Sequence, residues 1–375
     1  MSLSLPADPP RSRSLTDVLA QTIAALTGAS DWFAPAESAI VFVVDGLGAH
    51  NLAARRGHAR FLGSVGGRRD VARTVFPSTT AAALTSLLTG TDPGAHGIAG
   101  YRLRIPGTDI VSNQLHGWET DGLDPRAWQR RTPLLETHAA SGGDAFVVSR
   151  PGYTRTGFTE ATLRGARFHP SDDLDERISL AADLSARHPG SITYLYAPEL
   201  DTAGHRDGWE SDRWTDALER VDAAASRLAG LVSPRTGVVL TADHGMVDVP
   251  AHKHVLLRDG DALLDDVTLV GGEPRLLHLY TAEGRMDAVA RRWVGSEGAR
   301  AWVLTRDEAV AAGLFGAVDA DVLPRIGDVV VAARGRFAYY DDREPDKRPQ
   351  RMIGQHGSLT DEERTVPLLR WGAFA

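Results

Sequence analysis

Five short stretches hold the side chains best suited to chemistry. Val41-Phe42-Val43-Val44-Asp45-Gly46 and Thr241-Ala242-Asp243-His244-Gly245 each set an acid directly after an apolar run. Glu199-Leu200-Asp201-Thr202-Ala203-Gly204-His205 spaces an acid and an imidazole four residues apart, and Gln355-His356-Gly357 adds a late histidine. Phe76-Pro77-Ser78-Thr79-Thr80 brings hydroxyls. Together they offer six oxygen or nitrogen ligands and a hydroxyl nucleophile. That set suits two divalent cations gripping a phosphoryl group.

Each stretch alone has a plainer reading. Asp45 before Gly46 is also what a turn requires, and Gly46-x-Gly48 lacks the third glycine of a dinucleotide fingerprint. Asp243 beside His244 is equally a capping acid beside a hydrogen-bonded ring. Asp201 and His205 share one face of a helical turn, as any i,i+4 surface pair does. A lone histidine such as His356 is usually structural, and it gains weight only from its companions. Ser78, Thr79 and Thr80 open a helix, where Ser and Thr are favoured caps. The same helix start also presents free N–H groups and a favourable dipole to an anion. Ligation by Asp and His without sulfur suits zinc, with manganese or magnesium as alternatives.

These residues need a scaffold. Ala39–Val44, Asp144–Ser149, Ser191–Ala197 and Gly237–Thr241 are short apolar runs typical of strands buried on both faces. Helical spacing covers Ser14–Leu26, Thr79–Leu88 and about 211–231. The alternation predicts an α/β fold with a mainly parallel central sheet and helices on both faces. Acids placed just after such strands face the crevice where open α/β sheets bind ligands. Strands at Arg275–Tyr280, Ala301–Leu304 and Asp328–Ala333, with a helix at Met286–Val294, predict a small α+β insertion near 265–340. It precedes a final core segment at Gly354–Leu359. Residues 1–13 are expected to be a loose, disordered tail, and 14–375 one catalytic domain. The charged run Asp342–Arg351 is expected to be a solvated loop.

Composition narrows the function classes. The formal net charge is −8 over 375 residues, which weighs against a dedicated nucleic-acid binder. The absence of cysteine removes disulfides, thiolate metal sites and thiol nucleophiles. No apolar stretch is long enough for a membrane helix, and the first residues lack the apolar run of a signal peptide. A cytoplasmic protein is the expectation. Oligomeric state is not legible.

In this order, the five stretches resemble the alkaline phosphatase superfamily, and within it the nucleotide pyrophosphatase/phosphodiesterase branch. The resemblance runs from Val41 to Leu368. It implies an alkaline phosphatase-like fold and a phosphodiesterase or pyrophosphatase acting on a small phosphate ester, nucleotides included. It makes Thr80 the nucleophile, with Thr79 second. Asp45, Asp243 and His244 would hold one cation with Thr80, and Asp201, His205 and His356 the other. Two in-line displacements through a phosphothreonine would then retain configuration at phosphorus. The chain departs from the branch in two places. Ala81-Ala82-Ala83-Leu84 stands where many diesterases have Phe-Pro-Asn-His, and Tyr101 replaces a phosphate-contacting asparagine. Tyr101, Arg102 and Asn113 are the candidate substitutes. Trp118, Trp128, Tyr153, Phe158 and Trp209 are candidate pocket walls, with packing as the alternative role. Competing readings are a phosphomonoesterase, phosphonate hydrolase or phosphomutase of the same superfamily, and a non-catalytic metal-binding protein.

Overall fold

A computed structural model describes residues 4–67 and 69–375. In chain order, the strands of its two main sheets are β1 (Ser38–Val44), β2 (Val71–Arg73), β3 (Ala145–Ser149), β4 (Arg167–Pro170), β5 (Ile192–Ala197) and β6 (Thr236–Thr241). They continue with β7 (Val267–Glu273), β8 (Leu276–Thr281), β9 (Ala301–Thr305), β10 (Val329–Ala333) and β11 (Thr365–Gly372). The principal helices are α1 (Leu15–Ala25), α2 (Thr80–Thr89), α3 (Leu174–Arg187), α4 (Glu199–Asp207), α5 (Asp212–Leu231) and α6 (Met286–Glu297).

The central sheet has the order β2-β11-β6-β1-β5-β3-β4. From β6 through β1, β5 and β3 to β4 every pairing is parallel. Strands β1, β5 and β6 are buried along their whole length, which explains their unbroken apolar runs. Helix α5 is capped by Ser211, whose hydroxyl accepts from the Trp214 N–H at 3.2 Å. It buries Trp214, Leu218, Val221, Ala225 and Leu228, spaced by three or four residues as on one helical stripe. Helix α2 is buried on every side, so small residues such as Ala81, Ala82 and Ala83 let neighbours close on it.

The sheet's far edge departs from the sequence reading. Residues Gly354–Gln355 only bridge Val247–Asp248. The last core strand is β11, antiparallel to both β6 and β2. A reading tuned to strand–helix alternation has no slot for an antiparallel return of this kind.

Within the stretch expected to form an insertion lies a separate antiparallel sheet of order β7-β8-β10-β9. Its side chains alternate with the pleat. Leu277, Leu279, Val329 and Val331 pack with Val289 and Trp293 of α6. Leu276, Val330 and Ala332 pack instead on Phe76, Ala99 and Leu103 of the main body. A fully buried ion pair, Arg275 Nη2 to Glu363 Oε2 at 2.6 Å, ties the β7–β8 turn to the approach to β11. Residues 4–13 form no regular element beyond a turn, yet Asp8 reaches Arg73 at 2.8 Å and Arg364 at 2.9 Å. Among the described residues, no helix is long and apolar enough to cross a membrane.

Candidate active site

The five stretches converge at the carboxyl ends of β1, β5 and β6. Asp45 follows β1, Asp243 and His244 follow β6, and Asp201 and His205 sit on α4 just beyond β5. His356 follows the Gly354–Gln355 bridge, and Thr80 is the first residue of α2. Two glycines let the loops close. Gly46 has φ +74°, and a Cβ there would sit 3.1 Å from the Cα of Asp201. A Cβ on Gly245 would sit 2.0 Å from the Glu362 carbonyl oxygen.

The hydrogen bonds prepare each ring to offer one lone pair. His244 Nδ1 donates to the Gly245 carbonyl at 3.1 Å, His205 Nδ1 to Gly354 at 2.8 Å, and His356 Nδ1 to Ser78 at 3.0 Å. In a neutral ring so held, Nε2 carries the lone pair. His205 Nε2 and His356 Nε2 lie 3.2 Å apart, so in that tautomer two lone pairs face each other, which is not a hydrogen bond. A shared cation resolves that conflict, and the backbone-anchored Nδ1 is the usual outer support of a metal-bound histidine. The buried rings of His96 and His278 do the reverse. Their Nδ1 atoms accept backbone N–H groups from Ile98 and Gly327, each at 3.1 Å, which leaves them no free lone pair.

The carboxylates follow the same scheme. Asp243 Oδ1 accepts from Gly46 N at 3.1 Å and His244 N at 3.0 Å, while its Oδ2 is buried without a partner. The Tyr196 hydroxyl donates to Asp45 Oδ2, and Asp45 Oδ1 is buried without a partner. Asp201 Oδ1 is likewise unpartnered, 3.3 Å from His205 Nε2 and 4.0 Å from His356 Nε2. His244 Nε2 stands 3.5 Å from Asp45 Oδ1 and 3.4 Å from Asp243 Oδ2. Orphaned buried carboxylate oxygens are costly unless a cation takes them, so the donor set fits metal.

Among the described residues, two groups have ligand atoms within 4.8 Å of one another: Asp45, Asp243 and His244, and Asp201, His244 and His356. His244 thus faces both groups. His205 joins the second through its short approaches to Asp201 and His356. Burial, with Asp243 and Asp201 alongside, pushes the Asp45 carboxyl well above the usual range. Burial, with the His244 and His205 rings close by, holds His356 well below the ordinary imidazole value. Both shifts describe charges crowded in a dry site.

The three hydroxyls sort by direction. Ser78 Oγ donates to the Ser358 carbonyl at 2.7 Å, so it is structural. Thr79 holds the cap position of α2 without capping it. Thr80 Oγ1 lies 3.1 Å from His244 Nε2, facing the ligand cluster.

A cleft of about 700 Å³ opens over Thr80, Asp45, Asp201, His205 and His356. Tyr101, Arg102 and Asn113 all lie on its wall. Asn113 Oδ1 is already engaged by the N–H groups of Leu115 at 2.9 Å and His116 at 3.1 Å, and Arg102 pairs with Glu344 at 2.8 Å. Tyr153 and Phe158 are walls as expected. The three tryptophans are not. Trp118 and Trp128 are core residues whose Nε1 atoms bond Gln114, and Trp209 packs edge-on against Trp214. The charged run is a loop that ends in a 3-10 turn at Arg348–Arg351, and its Glu344, Asp346 and Arg348 line the cleft.

Two further groups escaped the sequence reading. Tyr196 orients Asp45, and nothing in a strand's apolar run marks one tyrosine for that task. Glu273, at the end of β7, reaches the cleft from the small sheet, with Oε2 3.8 Å from His356 Nδ1. The only signal was an acid after paired glycines.

The sequence pattern described as Type I phosphodiesterase / nucleotide pyrophosphatase matches residues 39–359. A venom phosphodiesterase of Macrovipera lebetinus is 25% identical over 219 residues, 54% of this chain and 24% of that protein. An uncharacterized pyrophosphatase/phosphodiesterase of Schizosaccharomyces pombe is 23% identical over 191 residues, 48% of this chain and 39% of that protein. The chain thus spans about a quarter of the length of the venom enzyme it matches. Murine ectonucleotide pyrophosphatase / phosphodiesterase 5 superposes with a TM-score of 0.70 at 18% identity, covering 88% of this chain and 87% of that one. Phosphonoacetate hydrolase from Sinorhizobium meliloti 1021 does so with a TM-score of 0.68 at 20% identity, covering 90% and 91%. These two likenesses show an alkaline phosphatase-like α/β fold. With most of its length matched by the family's sequence pattern, the chain belongs to the type I phosphodiesterase / nucleotide pyrophosphatase family.

Proposed function

We propose that this protein is a two-metal phosphodiesterase that works through a phosphothreonine at Thr80. One observation carries the reading. Three imidazole Nε2 atoms and three unpartnered carboxylate oxygens form one cluster, and the Thr80 hydroxyl reaches it 3.1 Å from His244 Nε2. Asp45, Asp243 and His244 would hold one cation beside Thr80, and Asp201, His205 and His356 the other. Zinc suits these nitrogen and oxygen donors best, with manganese or magnesium as alternatives. When bound, the cations would ionise the hydroxyl and offset negative charge on the phosphoryl and leaving oxygens.

The protein supplies position. Thr80 Oγ1 attacks phosphorus, the P–O bond to the alcohol breaks, and the alcohol leaves. Water then attacks the phosphothreonine and returns the hydroxyl. Two in-line displacements retain configuration at phosphorus. Burial of α2 holds Thr80 in register, and the helix start turns its dipole toward the anion. A neighbouring structure, the murine enzyme named above, was solved with AMP. A nucleotide ester is therefore one substrate to try, beside simpler diesters.

The test is a panel of bis-nitrophenyl phosphate, nitrophenyl phosphate and a nitrophenyl nucleotide ester on the metal-loaded chain. Diesters should exceed the monoester by about 100-fold in kcat/KM. Thr80→Ala should lose at least about 1,000-fold in turnover while keeping its metal content by elemental analysis. Wild-type turnover by that variant would refute the nucleophile.

A further inference from the structure

The cleft wall beyond the ligand set is short of positive charge. It carries three carboxylates that reach solvent, Asp341, Glu344 and Asp346, against two guanidinium groups, Arg102 and Arg348. Both arginines are already answered. Arg102 Nη2 lies 2.8 Å from Glu344 Oε1, and Arg348 Nη2 lies 2.8 Å from Asp346 Oδ2. No lysine lines this cleft among the described residues, and the other basic group outside the ligand set is the His116 imidazole. Asp341 pairs at 2.7 Å with Arg343, which is not part of this wall. Glu273 is only 8% exposed, and its Oε1 is buried without a partner.

The deeper wall is apolar. Leu84, Leu115, Phe158, Leu163 and Phe168 line it. Leu84 lies one helical turn beyond Thr80, so the apolar face begins beside the nucleophile.

We propose that this cleft selects phosphodiesters bearing one negative charge and a neutral or cationic alcohol, and discriminates against polyanionic esters such as nucleoside triphosphates. The proposal rests on the phosphodiesterase reading and adds the substrate class to it. One phosphoryl anion is accounted for by the cation site. Each further phosphate needs a cation of its own, usually a forked arginine or a lysine. Taking Arg102 for that purpose breaks its pair with Glu344. A neutral aryl or alkyl group meets the apolar wall at no such cost, and an ammonium group finds the carboxylates.

The test uses the metal-loaded full chain and three substrates: phenyl nitrophenyl phosphate, nitrophenyl phosphorylcholine and ATP. The first two should each exceed ATP by at least about 100-fold in kcat/KM. Glu344→Gln, which frees Arg102, should raise kcat/KM for ATP about 10-fold relative to the neutral ester, and the neutral ester itself reports that the variant has folded. ATP cleaved as well as either diester, with the diesters turned over, overturns the charge selection and leaves the phosphodiesterase reading intact. A chain that turns over no ester at all loses both. An unchanged ATP-to-diester ratio in Glu344→Gln removes the Arg102–Glu344 pair as its cause.

Discussion

Asp45 offers one oxygen inward because Tyr196 holds the other, and Asp243 does the same because two backbone N–H groups hold its Oδ1. On the two-metal reading proposed above, each acid is thereby set to bind a cation through a single oxygen. Removing the tether frees the second oxygen and loosens the ligand. Tyr196→Phe should weaken metal binding about 10–100-fold, the usual cost of losing such outer support. A chelator-dye competition titration reads this directly, and an unchanged affinity would deny Tyr196 its orienting part. Asp243→Asn should lose metal outright, and full occupancy by elemental analysis would remove Asp243 from the ligand set. The candidate ligands stood out in the sequence because acid, imidazole and hydroxyl stretches occur together, although each alone has a plainer use. The supporting atoms were not. Which nitrogen of His205 bears the proton is set by the Gly354 carbonyl, far along the chain.

At the level of elements, the parallel core was legible because strands buried on both faces leave long apolar runs. Strand β4 and helix α3 were not anticipated. The side chains of β4 are exposed or half-buried, so no apolar run marks it. The docking of the small sheet also lay beyond reach, since it depends on which face of β8 and β10 meets Phe76. Its anchor is the Arg275–Glu363 pair, in which both side chains are fully buried. Arg275 also donates to the carbonyls of Gly335 at 2.7 Å and Phe337 at 2.6 Å, and Glu363 Oε1 accepts from Ser358 N at 3.0 Å. Breaking one side strands the other charge in a dry setting. Arg275→Met should cost about 3–5 kcal/mol of stability, measured by urea unfolding, and adding Glu363→Gln should recover part of it. A loss below about 1 kcal/mol would mean that the anchor is a wet surface pair after all.

The whole molecule carries a pH signature apart from its chemistry. Burial lowers His96 to about 3 and His278 to about 4, from an ordinary value of 6.5. Both stay neutral in the fold, whereas the unfolded chain protonates them below about pH 6.5. Stability is therefore intact above that pH. It falls as the solution is acidified toward the folded values, by up to about 1.4 kcal/mol per pH unit for each ring. Urea midpoints taken between pH 7.5 and 5 should show the decline, and His278→Gln should flatten it by one ring's share. An equal slope in that variant would place the proton uptake elsewhere. The order of the ligands along the chain has its own result. Asp45, Asp243 and His244 are all translated before His356, and β11 slots between β6 and β2 after that. The loop of that first trio leans on the later stretch too, since the Gly245 N–H donates to the Glu363 carbonyl at 2.8 Å. On the two-metal reading proposed above, capture of a full pair of cations therefore waits until translation has passed Glu363.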